Sequence, residues 1–445
     1  MLLAALLACS TPEARPPDMV VVVIDTLRAD AMGFAGAELP ATPNLDQLVA
    51  TEATWFSRAY SSSSWTLAST ATLFSGLHTF QHRVVRDTTE RQHCFGRLPA
   101  HQPNLASRWK AKGYRTGAWI NNAFLAPEFG LAAGFDTYDF EGAALTGHRT
   151  AAQTVEAALA WLDQDPDQPA LMVVHIMEPH ADYDPGPPFA GHFTAGLEAS
   201  ITAPVGENLH VGWMTGMLPA PNDKDQAFVR AAYAEEVLAS DAAVGTLIEG
   251  LKARGRWDEA TFVLTSDHGE EFWDHGRYEH GHALTSPVTQ VPLVVKAPGV
   301  PAGRNDSIVD AVRAAELMHT GQGWVLDRAL QGDLDATAVA ISEDILYGPQ
   351  ATSLITRDAR VVLGLERRDA QVWSLQPSGY ESALLQPDQV GAQVQQTAKH
   401  LEQVRGDLQP RRPLDPTSVA SPDVFQMLRE LGYVDAAAVQ TAPCN

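Results

Sequence analysis

Thr261-Phe262-Val263-Leu264-Thr265-Ser266-Asp267-His268-Gly269-Glu270-Glu271 is the stretch that decides the fold. Thr261 to Thr265 is uncharged, apolar and β-branched, the composition of a strand buried on both faces. An acid and an imidazole follow directly. Such a pair packs poorly in a core, but a carboxylate oxygen and a neutral imidazole nitrogen suit a divalent metal ion. The reading then depends on whether the chain supplies partners for them.

A matching run lies near the start. Met19 to Ile24, MVVVVI, reads as a central parallel strand and ends in Asp25-Thr26-Leu27-Arg28-Ala29-Asp30. In open α/β sheets the chemistry sits beyond the carboxyl ends of the strands, which places Asp25 where Asp267 is placed. Ala170 to Ile176 is a third buried strand, running into Met177-Glu178-Pro179-His180-Ala181-Asp182-Tyr183-Asp184. Gly113 to Ile120 turns into a strand that delivers Asn121-Asn122, and Val291 to Val295 is a further strand. Helices are expected from Thr42-Pro43, with Thr42 as cap, and over 104–112, 151–163 and 225–254. Strands alternating with helices predict a mainly parallel sheet sandwiched by helices. From residue 336 the pattern shifts to short antiparallel strands at 353–356, 360–363 and 371–374, with helices over 388–406 and before Leu431. Three segments follow: a leader and tether over 1–18, a catalytic domain over 19–335 and an α+β subdomain over 336–445. Residues 186–223, rich in Gly and Pro, read as a long loop or lid.

The 445 residues carry 31 basic against 54 acidic side chains, a net charge of −23. A chain this acidic lacks the basic patches that grip nucleic acid. An anionic substrate would need local help from a metal or a few Arg residues. Met1 to Cys9 resembles the tail of a bacterial lipoprotein signal, with Cys9 as the lipidated residue. That reading implies a periplasmic or cell-surface protein, membrane-attached through its lipid. The three Cys residues match no zinc or redox spacing.

Two hydroxyl- and His-rich stretches complete the candidate site. Ser61 to Gly76 is a Ser-rich turn running into a small-residue helix, a place to present a nucleophile at a helix N-terminus. Asp274-His275-Gly276-Arg277-Tyr278-Glu279-His280-Gly281-His282 holds three His in eight residues. His175, inside a strand, reads as structural. Asp30, His82 and Asp274 read as structural or rim residues, and Asp241 as a cap or packing contact.

Five segments in order, VVVVIDTLRAD, TPNLDQL, SSWTLASTATLFSGL, TSDHGEEF and HGHALTSPVTQVPLVVKAPG, resemble the sulfatase branch of the alkaline phosphatase superfamily, and the late LRELGYV is also similar. The resemblance spans roughly residues 18 to 435. It implies an alkaline-phosphatase-like α/β sandwich, a small C-terminal antiparallel sheet with a helix, a divalent metal (Mn, Zn, Ca or Mg) and a covalent intermediate. Carried onto this chain, the ligands become Asp25, Asp267, His268 and Thr66, with Thr66 also the nucleophile. His280 and His282 fall near the leaving group, and His180 and Asn121 near the substrate. His180, Asp184 and His282 (or His280) would hold a second ion about 4 Å from the first if the enzyme is of the two-metal type. The departures shape the expected activity. Sulfatases carry Cys or Ser, then Pro and Arg, where this chain has Thr66, Ala68 and Thr70. Thr cannot become formylglycine, and the family's sulfate-binding Lys and His become Asn121 and Ala123. The expected activity is hydrolysis or transfer of anionic esters through Thr66, with phosphoesters or phosphonates favoured. The alternatives are a catalytically degenerate cell-surface binding protein and a sulfuric ester hydrolase working without formylglycine.

Overall fold

The computed structural model describes residues 15–86, 95–140, 149–331, 339–364 and 370–385, with the isolated positions 399 and 426. The leader with Cys9, the helix expected over 388–406 and the one before Leu431 lie outside the described residues.

The central sheet is built from β1 (Met19–Ile24), β2 (Thr54–Tyr60), β3 (Arg115–Trp119), β4 (Thr137–Asp139), β5 (Ala170–Ile176) and β6 (Thr261–Thr265). After a two-stranded ribbon of β7 (Glu271–Phe272) and β8 (Tyr278–Glu279), the chain returns as β9 (Gln290–Val291), β10 (Leu293–Lys296) and β11 (Gly303–Asp310). The order is β11-β2-β10-β6-β1-β5-β3-β4, with β9 paired to β2. β1 lies between β5 and β6 and is parallel to both. Its period of two is visible in the packing. Met19, Val21 and Val23 enter one apolar cluster; Val20, Val22 and Ile24 enter the other.

Helices cover both faces. On one side lie α1 (Pro43–Thr51) and, after α2 (Thr66–Ser75), α3 (Thr79–His82) and α4 (Leu105–Lys110) of the opposite side, α5 (Ala151–Leu162) and α7 (Asp223–Ala253), with α6 (Glu207–Met214) between them in sequence. The other face is completed, beyond α8 (Ser286–Thr289), by α9 (Ala311–Thr320) and α10 (Trp324–Gln331). A second sheet, β12 (Ala340–Glu343), β13 (Ala351–Ile355), β14 (Ala359–Gly364), β15 (Ala370–Leu375) and β16 (Glu381–Leu384), is antiparallel throughout. The architecture is therefore the expected mainly parallel sandwich with a small antiparallel sheet. Among the described residues no helix is long and apolar enough to cross a membrane.

Two local expectations are corrected, and β10 adds a reversed strand to the mainly parallel sheet. β10 is antiparallel to both β6 and β2. Between β6 and β10 the chain carries the β7–β8 ribbon, α8 and β9 but no long crossover helix. Residues 186–223 are not structureless: they contain α6, and the Glu235 carboxylate on α7 accepts the backbone N–H groups of Gly191, Phe193 and Thr194 at 2.7–3.0 Å. Thr42 precedes α1 but does not cap it. Its hydroxyl accepts from the Gly33 amide and donates to Asp46. The cap comes from α7, where Asp241 accepts the N–H groups of Asn44 and Leu45, each at 2.9 Å.

Replacing Asp241 by Ala is expected to cost about 2 kcal/mol, the loss of a cap with its donors left buried. A urea midpoint unchanged from the parent protein would remove Asp241 from that role.

Candidate metal centre and nucleophile

β1 and β6 run side by side with Val23 opposite Thr265. Continuing that register by two residues brings Asp25 and Asp267 abreast just past the strand ends. Both side chains are fully buried, as is His268. The turn after Asp25 is tight. Thr26 sits at φ +54°, a conformation a β-branched residue rarely adopts. Three contacts hold it there. Tyr233 on α7 donates to the Thr26 carbonyl and accepts from the Arg28 amide, both at 2.9 Å. The Leu27 amide donates to Ser266 Oγ at 3.0 Å.

Each carboxylate has one oxygen occupied and one bare. Asp25 Oδ2 accepts from Asn122 Nδ2 at 2.7 Å, with His175 Nε2 at 3.5 Å, while Oδ1 has no donor. Asp267 Oδ1 accepts from the His268 amide at 2.9 Å and the Thr26 amide at 3.4 Å; Oδ2 has no donor. Both bare oxygens face His268 Nε2, at 3.7 and 3.4 Å. The imidazole is oriented too. His268 Nδ1 lies 2.9 Å from the Gly269 carbonyl, which can only accept, so Nδ1 carries the proton and Nε2 presents its lone pair.

The electrostatics follow from burial. It pushes the Asp25 carboxyl well above its usual range, with Asp267 adding repulsion and Asn122 opposing. Burial also raises Asp267, against the pull of His268. It lowers His268 to about 3, so the ring is neutral. Two bare carboxylate oxygens and one imidazole lone pair, all within 4.8 Å of one another, form a donor set that suits a divalent cation.

Thr66 opens α2. Its Oγ1 lies 3.2 Å from His268 Nε2. Trp65, in the N-cap position, offers no side-chain cap, so the first-turn N–H groups keep their capacity for an anion. The loop before Thr66 is held from two sides. Ser61 Oγ bonds to the Asp267 carbonyl. From the small sheet and the turn beyond it, Ser342 Oγ donates to Ser61 O, the Glu343 amide to Ser62 O, and Asp344 accepts from Trp65 Nε1 at 2.8 Å. The Gly281 amide donates to Ser64 O at 2.8 Å. Gly281 is at φ +77°, and a Cβ there would press on Leu346 and Tyr347, so glycine is required.

The remaining candidates divide. His280 is adjacent to the centre: its ring is 4.4 Å from that of His268, and its Nδ1 is 3.0 Å from Glu270 Oε1. His180 stands edge-on to His280 at 5.1 Å, with its Nδ1 committed to the Ala181 carbonyl. His282 spends Nε2 on Glu271 and Nδ1 on the His280 carbonyl, each at 3.2 Å. Asp184 has an exposed side chain. The structure therefore does not assemble His180, Asp184 and His282 into a second cluster; among the described residues the Asp25–Asp267–His268 group stands alone. Asn121 is placed elsewhere as well. Its amide donates to Thr154 Oγ1 and the His175 carbonyl, and its oxygen accepts from Arg149. The neighbour, Asn122, is the residue that meets the centre. Its Oδ1 accepts from the Phe124 amide, which turns the NH₂ toward Asp25. That turn-capping role is a sequence signal for Asn122; for Asp344, far along the chain, no local signal exists. Asp30 and Asp274 are bound up in ion pairs with Arg28, and His82 bonds to Thr72.

The sulfatase family profile matches residues 17–325. An arylsulfatase of Clostridium perfringens (strain 13 / Type A) is 23% identical over 363 residues, covering 66% of this chain and 72% of that protein. An ulvan-active sulfatase of Formosa agariphila is 25% identical over 318 residues, 65% of this chain and 57% of that longer protein. Among solved structures, the phosphonate monoester hydrolase of Silicibacter pomeroyi superposes with a TM-score of 0.69 at 18% identity, covering 89% of this chain and 96% of that one. That likeness shows a shared fold.

Two outcomes follow from the centre. Adding Mn, Zn, Ca or Mg to chelated protein should raise Tm for at least one ion, by the equivalent of about 2.7 kcal/mol at a hundredfold excess over Kd. Asp267→Asn should abolish the shift without lowering the Tm of the metal-free protein, because it removes like-charge repulsion; an undiminished shift would move the ligand set elsewhere. The second concerns Asp344, whose carboxyl burial raises to about 7, against the Trp65 bond and with Glu343 adding repulsion. A raised carboxyl means the folded state holds its proton longer than the unfolded chain, so stability falls as pH climbs from about 4 to about 7. Asp344→Asn keeps the acceptor for Trp65 and removes the titration. Its Tm advantage should therefore grow across that window, and a pH-independent difference would refute the assignment.

Proposed function

The chain belongs to the sulfatase family of hydrolases, and from that premise we propose that it cleaves, or transfers the acid group of, phosphate-type esters through a covalent intermediate on Thr66. One observation carries the reading: the Thr66 hydroxyl stands at the first position of α2, 3.2 Å from His268 Nε2, the same nitrogen that the bare oxygens of Asp25 and Asp267 face. Thr at this position cannot be oxidised to formylglycine, which favours phosphorus esters over sulfate esters. The fold shared with a phosphonate monoester hydrolase is compatible with that choice.

Asp25, Asp267, His268 and Thr66 would hold the divalent ion. When bound, it supplies positive charge to the ester's oxygens and lowers the pKa of a coordinated hydroxyl. The chain's own residues do the rest. Thr66 Oγ gives up its hydroxyl proton to solvent and attacks phosphorus; a phosphorus–oxygen bond forms, and the bond to the leaving oxygen breaks. That oxygen takes a proton from solvent; His280, 3.0 Å from Glu270 and held neutral by burial that lowers it to about 3, would relay that proton rather than store it. Water (or an acceptor alcohol) then attacks phosphorus, the bond to Oγ breaks, and Thr66 recovers its proton. The uncapped first turn of α2 stabilises the anion throughout.

Aryl phosphate mono- and diesters, phosphonates and sulfates should be assayed with each of the four ions. Phosphorus esters are expected to turn over fastest, and Thr66→Ala should lower kcat on the order of 10³-fold. A quenched reaction should yield a peptide phosphorylated on Thr66. Unmodified Thr66 during full turnover would sink the nucleophile, and faster sulfate cleavage would sink the substrate class.

A further inference from the structure

A buried charge cluster joins the segment 186–223 to the β7–β8 ribbon. His210 lies on α6, and its ring is buried. Its Nε2 is 2.8 Å from the Val205 carbonyl, which can only accept, so Nε2 carries a proton. Its Nδ1 reaches across to β8. There it lies 3.3 Å from Glu279 Oε1 and 2.6 Å from the Tyr278 hydroxyl.

Glu279 decides the state of the ring. Its carboxylate is largely buried, and among the described residues its ion-pair partner is His210. A buried carboxylate without a cation is costly, and a neutral ring would turn a lone pair toward it. As an imidazolium the ring donates from both nitrogens, one within its own segment and one to the ribbon. Two more groups face it from the turn after β5: the Asp182 carboxylate at 3.9 Å and the Tyr183 ring, edge-on at 5.0 Å. Glu270, after β6, is within electrostatic reach. The Asp182 side chain is exposed and screened by solvent, so Glu279 is the stronger partner.

The ring's affinity for a proton reflects this balance. Burial alone would lower the His210 pKa. The bond to Glu279 and its charge, then the Val205 carbonyl and Asp182, outweigh burial and raise it above the usual value. Burial also opposes ionisation of Glu279, yet the bond to His210 and its charge pull that carboxyl below its usual range. The pairing further anchors a strained residue: Glu279 sits at φ +64°, directly before His280.

We propose that His210 is a proton-controlled latch: as an imidazolium it clamps α6 and the segment around it onto the ribbon that leads to His280, and when it loses its proton that segment loosens. Because the folded state raises the pKa, the clamp is complete below about pH 6.5 and is lost as pH rises through the folded value. Release is local. Trp213 on α6 keeps its ring contacts with Trp273 and Tyr278, at 5.4 and 5.3 Å, which do not titrate with His210. The latch is independent of the phosphoester reading.

Hydrogen exchange of the α6 amides in the full chain, corrected for intrinsic rates, tests the latch between about pH 5.5 and about pH 8.5. Protection is expected to fall about tenfold across that range, the loss of one charged hydrogen bond. α9, on the opposite face of the sheet, should show no such step. His210→Gln keeps a donor for Val205 and removes the charge, so α6 should be equally open at every pH. Glu279→Gln removes the partner and should pull the His210 pKa down, read from the ring-proton shift by NMR. In the parent protein that pKa should lie above about 6.5. A parent value at or below it, pH-independent protection of α6, or a step that survives in His210→Gln would overturn the proposal.

Discussion

Two carboxylates buried side by side constrain everything around them. Asp25 and Asp267 come off adjacent strands into a space that excludes water, and each would repel the other. The surroundings answer with donors on one oxygen of each, from Asn122 and from the amides of His268 and Thr26. The other oxygen of each stays bare and turned to His268 Nε2. The strained Thr26 and the clamp from Tyr233 are consequences, because only a sharp turn presents both acids to the same point. The centre thus sets requirements on β1, β6, α7 and the turn after β3 at once.

The second dependency is between sheets. The loop that carries Thr66 bonds to its own helix through Ser62 Oγ and Thr72 Oγ1 at 2.8 Å, and it is also held from elements far along the chain. Those ties come from Ser342, Glu343 and Asp344, which close and follow β12, and from Gly281. The small antiparallel sheet is therefore part of the framework that positions the candidate site. Asp344 accepts directly from the indole of the residue before Thr66.

Much of the framework was legible residue by residue. Unbroken β-branched runs at β1, β5 and β6 announce strands covered on both faces, and alternate residues do enter opposite clusters. Asn104 and Thr150 cap α4 and α5 as their types suggest. Direction and one-residue phase were not legible. Val291 to Val295 reads as a further strand of a mainly parallel sheet, and its direction, antiparallel to β6, is not legible from it. Asn121 and Asn122 are the same residue type in consecutive places; a shift of one turns a side chain from Thr154 to Asp25. His180, Asp184 and His282 have the composition of a metal site, but their nitrogens and exposure place them apart.

By itself the sequence determined the sandwich, the acids at the strand ends and the hydroxyl at the start of α2, because periodicity, strand-end position and helix entry are local properties of a chain. Only the tertiary structure decided which oxygen of each acid is bare, which of two asparagines meets the centre, and that Asp344 holds Trp65 across 279 positions. Those are facts about distances between segments far apart in the chain, set by how the two sheets and α7 close on one another. No local pattern encodes them.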